Sequence, residues 1–257
     1  MSAARRCPVV LLHALSLDAS MWQETRGALE GRGHQVVAPH QRGFGGTPLG
    51  PAGPSLDVVA DDLARTLDAE GIERAVLVGA SMGGYTAMAF LRRHPGRALG
   101  LALVSTRATA DDAAARTARE RFAAAVTDPE RGPALVAAAA GQLVGPGTRE
   151  RHPALAARVA ATAAAAEPAA LAWAQRAIAA REDCLDVLRA TDVPAVVITG
   201  QEDTLIRPAD AAAAVAALPS GRWQALAGAG HLPPLETPGP FRAELDALLG
   251  QVQEAAC

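Results

Sequence analysis

The stretch Val76-Leu77-Val78-Gly79-Ala80-Ser81-Met82-Gly83-Gly84-Tyr85 joins a short apolar run, a turn with a glycine on each side of a serine, and the start of a helix. This pattern predicts a strand that turns sharply into a helix and pushes the Ser81 hydroxyl out at the top of a sheet. Side chains at Gly79 and Gly83 would collide where strand and helix nearly touch. The Ser81 hydroxyl would also lie at a helix N-terminus, whose free N–H groups favour developing negative charge. Gly-x-Ser-x-Gly alone is a weak signal, so a plain glycine turn is the alternative.

Composition excludes several classes of protein. The 257 residues are 50% hydrophobic, enough to bury a substantial core, and only 3% aromatic, so cavities should be lined mainly by aliphatic and small side chains. The net charge of -3 comes from interspersed acidic and basic residues. We therefore expect neither a nucleic-acid-binding surface nor a polybasic membrane anchor. Apart from Ala-rich stretches broken by charges, no segment is long and apolar enough to span a bilayer as a helix.

The three cysteines, Cys7, Cys184 and Cys257, are odd in number, far apart and without ligand-like spacing. They predict reduced thiols in a cytoplasmic protein rather than a disulfide framework or a metal site.

The N-terminus allows a second interpretation of localisation. Arg5 and Arg6 precede the apolar run 9–12, as in a short secretory signal. His13 interrupts that run, and no convincing small-residue cleavage site follows. The sequence therefore favours the cytoplasm.

Apolar runs and helical patterns alternate through most of the chain. Strands are predicted at 9–12, 35–38, 75–78, 99–104, 195–198 and 222–226. Helices are predicted from Asp18 or Ser20 to Gly31 or Gly33, from Ser55, from Ser81 to near His94, after Pro208, and over 241–249. This order implies right-handed crossovers and a parallel sheet with helices on both faces. In such sheets the active crevice lies at the carboxyl ends of the strands.

The alternation stops between Thr106 and Ala190, where the chain is Ala-rich and helical in pattern, with several proline and glycine breaks. We expect several short helices that form a lid, residues 106–190, inserted into a core domain of residues 1–105 and 191–257. A disordered Ala-rich linker is the alternative, but recurring Leu, Val, Phe and Trp residues disfavour it.

Three residues at predicted strand ends suggest nucleophilic catalysis. A serine hydroxyl needs a base, and His231, in a glycine-rich loop after the last strand, is the candidate to activate Ser81. Asp203, just past the preceding strand, would fix the tautomer of that imidazole and stabilise its charged form. Glu202 is adjacent, but alternation along the chain would turn it the other way. Taken singly, His231 could be a loop histidine and Asp203 a helix-capping residue.

An oxyanion site needs two N–H donors. Met82, the residue after the nucleophile, and Leu15, in the loop after the first strand, are the candidates, although Leu15 could instead be an ordinary core residue. No substrate-binding residue stands out as clearly.

In the predicted lid, Phe122, Leu143 and Trp173 are the candidate apolar contacts to a substrate. Tyr85 and Met88, on the helix after Ser81, are expected to belong to the core instead.

Several stretches together match a known pattern: His13-Ala14-Leu15 with Trp22, the run from Arg42 to Thr47, the run from Gly79 to Gly84, Gly200-Gln201-Glu202-Asp203 with Pro208, and Gly228-Ala229-Gly230-His231 with Glu236-Thr237-Pro238. With these motifs the chain resembles α/β-hydrolase fold enzymes, especially the group of esterases, enol-lactonases and cofactor-free haloperoxidases. The motifs cover nearly the whole chain outside the lid, and they are specific for the fold but not for the substrate. The resemblance implies Ser81 as nucleophile, Asp203 as acid and His231 as base.

Three departures from the family pattern bear on the site and the sheet. Ala14 replaces a usual glycine, which would cost on the order of 1 kcal/mol if that position needs a positive φ. His40 stands where relatives usually carry Asp, either bracing a loop or titrating near the pocket rim. The usual leading antiparallel strands have no counterpart, so we expect about six strands, all parallel.

The residues and the resemblance together predict a serine hydrolase acting on a small or medium carboxylic ester, lactone or thioester, with no metal or organic cofactor. Its partner is a small-molecule substrate, and the sequence leaves a homo-oligomer open. The same three residues could also support perhydrolysis, cleavage of a carbon–carbon bond next to a carbonyl, or release or cyclisation of a biosynthetic thioester. A ligand-binding relative without turnover is the alternative of another class.

Overall fold

Six strands form one parallel sheet in the computed structural model, which describes residues 6–255; Arg5 and Cys257 lie outside the described residues. The strands are β1 (Val9–Leu12), β2 (Val36–Val37), β3 (Ala75–Ala80), β4 (Ala98–Val104), β5 (Ala195–Gly200) and β6 (Gly221–Leu226). Their order across the sheet is β2-β1-β3-β4-β5-β6, and every neighbouring pair is parallel. The predicted fold class, a parallel sheet of about six strands, is confirmed.

The central strands are continuous apolar runs because helices cover both faces of the sheet. Every residue of β1, β3 and β5 is buried. The edges differ: β2 has only two residues, fewer than predicted, and β6 is mostly half-buried with Trp223 exposed to 39%. A very short edge strand limits pairing with other chains.

Twelve α-helices and one 3₁₀ helix surround the sheet in the described residues. The 3₁₀ helix spans Ala19–Trp22, and the α-helices are α1 (Gln23–Glu30), α2 (Leu56–Ala69), α3 (Met82–Arg93), α4 (Ala113–Ala125), α5 (Gly132–Ala140), α6 (Pro146–Arg151), α7 (Pro153–Ala164), α8 (Pro168–Ala179), α9 (Leu185–Arg189), α10 (Pro208–Ala217), α11 (Pro233–Glu236) and α12 (Pro238–Ala255). The predicted caps are present, since Asp18 accepts from Ser20 N (2.8 Å) and Ser55 from Asp57 N (3.1 Å). The last helix is longer than predicted because Pro238 is compatible with a first helical position.

Alternate residues of the strands pack into two hydrophobic clusters, one on each face. Val10 and Leu12 point to the face covered by α2, α3 and α10, whereas Val9 and Leu11 point to the face covered by α1 and α12. None of the helices within residues 6–255 has both the length and the hydropathy needed to cross a bilayer.

Residues between β4 and β5 form six helices, α4 to α9. Helix α4 packs on α8, and α5 packs on α7. Prolines in the first turns of α5 to α8 account for the breaks seen in the sequence. Helix α9 packs instead on α3 and α10, next to the sheet. The division of the chain into a core and a lid of residues 106–190 stays a prediction.

Candidate active site

Ser81 joins β3 to α3 in a backbone conformation, φ 51° and ψ -113°, that residues other than glycine rarely adopt. Hydrogen bonds on both sides hold it there: Ser81 N donates to Val104 O (2.8 Å), and Ser81 O accepts from Gly84 N (2.9 Å) and Thr106 Oγ1 (3.0 Å). Strained residues that the surrounding structure holds in this way are concentrated at functional sites. Ser81 therefore has the backbone geometry of a presented nucleophile.

The two glycines flanking Ser81 are required by the close approach of β1, β3 and α3. A Cβ at Gly79 would lie 2.3 Å from Gly83 O, and a Cβ at Gly83 would lie 2.2 Å from Leu12 O. Both distances are much shorter than a van der Waals contact, and both are to backbone atoms rather than to flexible side chains. The collision predicted from the sequence is confirmed.

Asp203 and His231 form a buried hydrogen-bonded pair. His231 Nδ1 lies 2.9 Å from Asp203 Oδ2, and the two side chains are 3% and 1% exposed. Asp203 Oδ1 also accepts from Leu205 N (2.8 Å) and Ile206 N (3.1 Å). Burial raises the pKa of Asp203, but the hydrogen bond and charge of His231 and the two N–H donors outweigh it, so the pKa falls below its usual value. An ionised Asp203 holds the proton on Nδ1 and leaves Nε2 as the acceptor.

One cavity of about 210 Å³ brings Ser81 and His231 together, because both residues line it. No hydrogen bond within residues 6–255 joins the Ser81 hydroxyl to His231, a contact that commonly tightens only when substrate binds. Glu202 points elsewhere and accepts from Gly147 N (2.8 Å) at the start of α6. Of the two adjacent acids, the structure therefore brings only Asp203 to the imidazole.

The loop after β1 reaches the same cavity through Leu15. The Leu15 and Met82 N–H groups have no hydrogen-bond acceptor within the described part of the chain. Ala14 needs no positive φ; the residue in that conformation is Ser16 (φ 62°), whose hydroxyl donates to Leu15 O (2.7 Å). The cost anticipated for Ala14 therefore does not arise.

Two of the three predicted substrate contacts line the cavity, and one does not. Phe122 and Leu143 face it, whereas Trp173 packs against the loop before α2 and donates from Nε1 to Ala52 O (3.0 Å). Trp173 lies off the cavity because Leu171 is on the cavity face of α8, and two further residues turn the chain about 200° around the helix.

Tyr85 packs in the core, as expected, and also lines the cavity. Met88, one turn farther along α3, is buried in the core as expected and does not line that cavity. The polar lining residues that the sequence analysis missed are Ser16, Arg107, Arg119, Gln142 and Gln175. Arg107, Arg119, Gln142 and Gln175 belong to the Ala-rich segment, where only tertiary packing decides which polar residues point inward.

Comparison with known proteins decides the family. The sequence model of the alpha/beta hydrolase fold matches residues 8–238, which is most of the chain. The chain belongs to the alpha/beta hydrolase fold family. Among solved structures, the chain is similar to a thermophilic esterase from Thermogutta terrifontis, determined with malate bound: 33% identity, TM-score 0.91, covering 96% of this chain and 90% of that chain.

Two further relatives of the chain act on esters or lactones according to their names. One is the enol-lactonase from Burkholderia xenovorans, with 28% identity and a TM-score of 0.85 over 95% of this chain and 92% of that chain. The other is the pimeloyl-(acyl-carrier protein) methyl ester esterase from Aromatoleum aromaticum, 36% identical over 101 residues, which are 39% of this chain and 38% of the relative. The chain spans about a third to two fifths of the length of the curated relatives it matches.

Behind the candidate site, the fully buried His13 organises the loop after β1. Its Nε2 accepts from Gln41 N (2.9 Å), and its Nδ1 lies 2.9 Å from Ala14 O, so the proton is on Nδ1. Gln41 in turn donates to His13 O (2.8 Å) and accepts from Thr86 Oγ1 on α3 (2.7 Å). This network ties the loop that carries Leu15 to the helix that begins after Ser81.

His13 should make the stability of the protein depend on pH. Burial lowers the pKa of His13 from 6.5 to about 4, so between these values the unfolded chain binds a proton that the folded protein does not. The stabilisation is fully present above pH 6.5 and falls by about 3 kcal/mol as the pH drops to about 4. Urea unfolding of wild type and His13→Gln across this range should show a shallower pH dependence in the variant. Equal slopes would contradict this account.

The other departing histidine, His40, is exposed and outside the cavity with Ser81. Its Nδ1 accepts from Ala19 N (3.2 Å), and its ring fills the space beside Gly45, where a Cβ would lie 1.9 Å from Nδ1. The structure therefore supports the loop-bracing interpretation of His40 and places its ring away from the cavity that Ser81 lines.

Glu236 holds the loop of His231 in place, a role that the sequence analysis did not assign to it although it belongs to one of the matching stretches. Its Oε2 accepts from Gly230 N (2.9 Å), Gly145 N (2.8 Å) and Thr148 Oγ1 (2.6 Å), and its Oε1 accepts from Leu232 N (2.8 Å). The carboxylate thus binds the residues on both sides of His231 and joins them to the start of α6.

Replacing Glu236 by Gln should destabilise the protein by about 3 kcal/mol, because the amide group would point N–H donors at buried backbone N–H groups. Guanidinium unfolding of Glu236→Gln measures this, and the exposed Glu254→Gln is the matched control that should stay within about 0.5 kcal/mol of wild type. A Glu236→Gln protein as stable as the control would show that these contacts contribute little.

Proposed function

We propose that this hydrolase cleaves a small or medium carboxylic ester, lactone or thioester through an acyl-enzyme on Ser81. The observation that carries the proposal is the buried hydrogen bond between Asp203 and His231 at the edge of the cavity that Ser81 also lines. An oriented imidazole next to a presented serine is the arrangement that acyl transfer requires. The esterases and the enol-lactonase to which the chain is similar support this reaction class.

In the first half of the proposed reaction, Ser81 Oγ attacks the carbonyl carbon while His231 Nε2 takes the hydroxyl proton. Asp203 stabilises the imidazolium and keeps the ring oriented. The Met82 and Leu15 N–H groups donate to the oxygen of the tetrahedral intermediate. The intermediate then collapses, and His231 returns the proton to the departing alcohol or thiol.

In the second half, a water molecule attacks the acyl-enzyme and gives one proton to His231. The second tetrahedral intermediate releases Ser81, which regains that proton, and the carboxylic acid leaves. Every proton transfer uses His231, so the proposal needs neither a metal nor an organic cofactor. Helices α4, α5 and α8 supply much of the cavity wall, which supports their role as a lid over a small-molecule substrate.

Localisation in the cytoplasm is proposed on the cysteines alone. Cys7 and Cys184 are both buried and free of disulfide bonds. Cysteines without disulfide bonds are typical of proteins kept in a reducing compartment.

A panel of neutral phenyl esters, γ-lactones and thioesters, followed by pH-stat titration and by rapid mixing, tests the reaction class. We expect acid release from at least one of these classes and, for a good leaving group, a burst of alcohol equal to the enzyme concentration. Parallel assays with hydrogen peroxide detect peracid formation. A folded protein that turns over nothing in the panel would contradict the proposal.

A further inference from the structure

Charge is unevenly distributed around the cavity that Ser81 and His231 line. Two guanidinium groups, Arg107 and Arg119, belong to its wall, and among residues 6–255 no Asp or Glu side chain lines it. Besides the imidazole of His231, the other polar side chains of the lining are hydroxyls and amides. The cavity therefore presents positive charge without a facing carboxylate.

Arg119 is only partly neutralised by its neighbours. Its Nε donates to Asp111, and Nη1 donates to Gln175 Oε1 (2.8 Å). The same Asp111 carboxylate, whose side chain is fully buried, also accepts from Arg181 (2.7 Å). Burial raises the pKa of Asp111, but Arg181 and Arg119 outweigh it and lower the pKa. One carboxylate thus serves two guanidinium groups, which leaves one positive charge in excess beside the cavity.

Arg107 has no carboxylate partner in the described residues. It follows Thr106, whose hydroxyl donates to Ser81 O, so its backbone is adjacent to the candidate nucleophile. Its Nη2 donates to Leu205 O (3.0 Å), and its buried Nε has no acceptor. The nearby Asp210 carboxylate is hydrogen-bonded to Arg207. Burial raises the pKa of Asp210, but Arg207 and the charge of Arg107 outweigh this and lower it. Nη1 of Arg107 has no acceptor within residues 6–255 and is not among the buried atoms, so it remains free to donate, and a charged donor of this kind favours an anionic acceptor.

Arg107 also lies where the cavity meets a second one, of about 140 Å³, since Arg107 and Tyr85 line both. The acids of that second cavity, Asp57 and Glu182, are both paired with Arg92. They therefore do not neutralise Arg107. The guanidinium stays available at the junction of the two cavities.

We infer that the substrate of this enzyme carries a carboxylate, separate from the scissile ester, thioester or lactone carbonyl, that binds Arg107, with Arg119 adding to the positive potential. This inference rests on the proposed function, and it narrows the substrate class to anionic esters, lactones or thioesters. A carboxylate matches the planar fork of the guanidinium and can accept from its terminal N–H groups, of which only Nη2 has a partner in the described residues. The carboxylate can belong to the acyl part or to the alcohol part of the substrate.

Two matched pairs of substrates test the inference on the wild-type enzyme. For the acyl part, the pair is the monophenyl ester of glutaric acid and its terminal amide, phenyl 4-carbamoylbutanoate. For the alcohol part, it is 3-carboxyphenyl pentanoate and 3-carbamoylphenyl pentanoate. We expect kcat/KM for the carboxylate to exceed that for the amide by about 10- to 100-fold in one pair, the effect of a charge-assisted hydrogen bond.

A ratio near one in both pairs, with the amides hydrolysed, would overturn the inference and leave the proposed function intact. Failure of the proposed function looks different: none of the four esters would be hydrolysed, and the inference would fall with it. The comparison within each pair keeps acyl length and leaving group nearly constant, so that charge is the main variable.

Variants assign the preference to Arg107. In Arg107→Gln the carboxylate-to-amide ratio of kcat/KM should fall to about one, whereas Arg107→Lys should keep part of it because the charge is retained. Arg189→Gln removes an exposed arginine of α9 that is paired with Asp186, and it should keep the full ratio. An undiminished ratio in Arg107→Gln would overturn the assignment even if wild type prefers carboxylates.

Discussion

Replacing Ser81 by Ala should lower kcat for ester hydrolysis on the order of 10⁶-fold, because no other group in the proposed mechanism can form the acyl-enzyme. The expected loss is in kcat rather than in binding, since the cavity wall keeps its shape. Folding should be preserved, because the substitution removes only a hydroxyl that makes no hydrogen bond within residues 6–255, and the strain of the positive φ at this position is already present with serine.

The measurement is steady-state hydrolysis of the best ester in the panel, with near-ultraviolet circular dichroism as a check on folding. Ser20→Ala, which changes an exposed serine of the 3₁₀ helix, is the matched control and should retain wild-type kcat. If folded Ser81→Ala kept more than about a thousandth of the wild-type rate, Ser81 would not be the nucleophile.

Replacing Asp203 by Asn should lower kcat by about 10⁴-fold while the fold is kept. The amide is nearly isosteric, but its NH₂ group would favour the tautomer of His231 that carries the proton on Nε2. That tautomer cannot accept the Ser81 proton. The loss of a full negative charge would also destabilise the imidazolium that forms in the transition state.

Glu202→Gln is the control for this experiment, because Glu202 is adjacent in sequence but binds Gly147 N instead of His231. We expect it to change kcat by less than about tenfold. The opposite result, a small effect at Asp203 and a large one at Glu202, would assign the acid to Glu202.

Local patterns were sufficient for the predicted parts of the fold. Apolar runs such as 9–12 and 75–78 identify buried parallel strands, and Ser55 marks the start of α2, because each signal depends on a few neighbouring residues. The ends of β2 and α12 were less predictable. A strand at the edge pairs on one side only, so its length depends on its neighbour β1 rather than on its own residues.

Some residues of the candidate site could likewise be predicted from local patterns, and others could not. Asp203 and His231 could be found from the sequence because parallel strands place their carboxyl-terminal loops along one edge of a sheet. The cavity wall could not, since Ala-rich helices have weak apolar stripes that do not indicate which face turns inward. The sequence therefore did not show that Trp173 lies on the side of α8 away from the cavity, or that Arg107 lines that cavity.

Reaction with a fluorophosphonate, followed by peptide mass spectrometry, tests most directly whether Ser81 is an activated nucleophile. We predict one phosphonyl group per chain, on the peptide that contains Ser81, with labelling lost in Ser81→Ala and strongly slowed in Asp203→Asn. A folded wild-type protein that is not labelled, or is labelled equally after Ser81→Ala, would contradict the account.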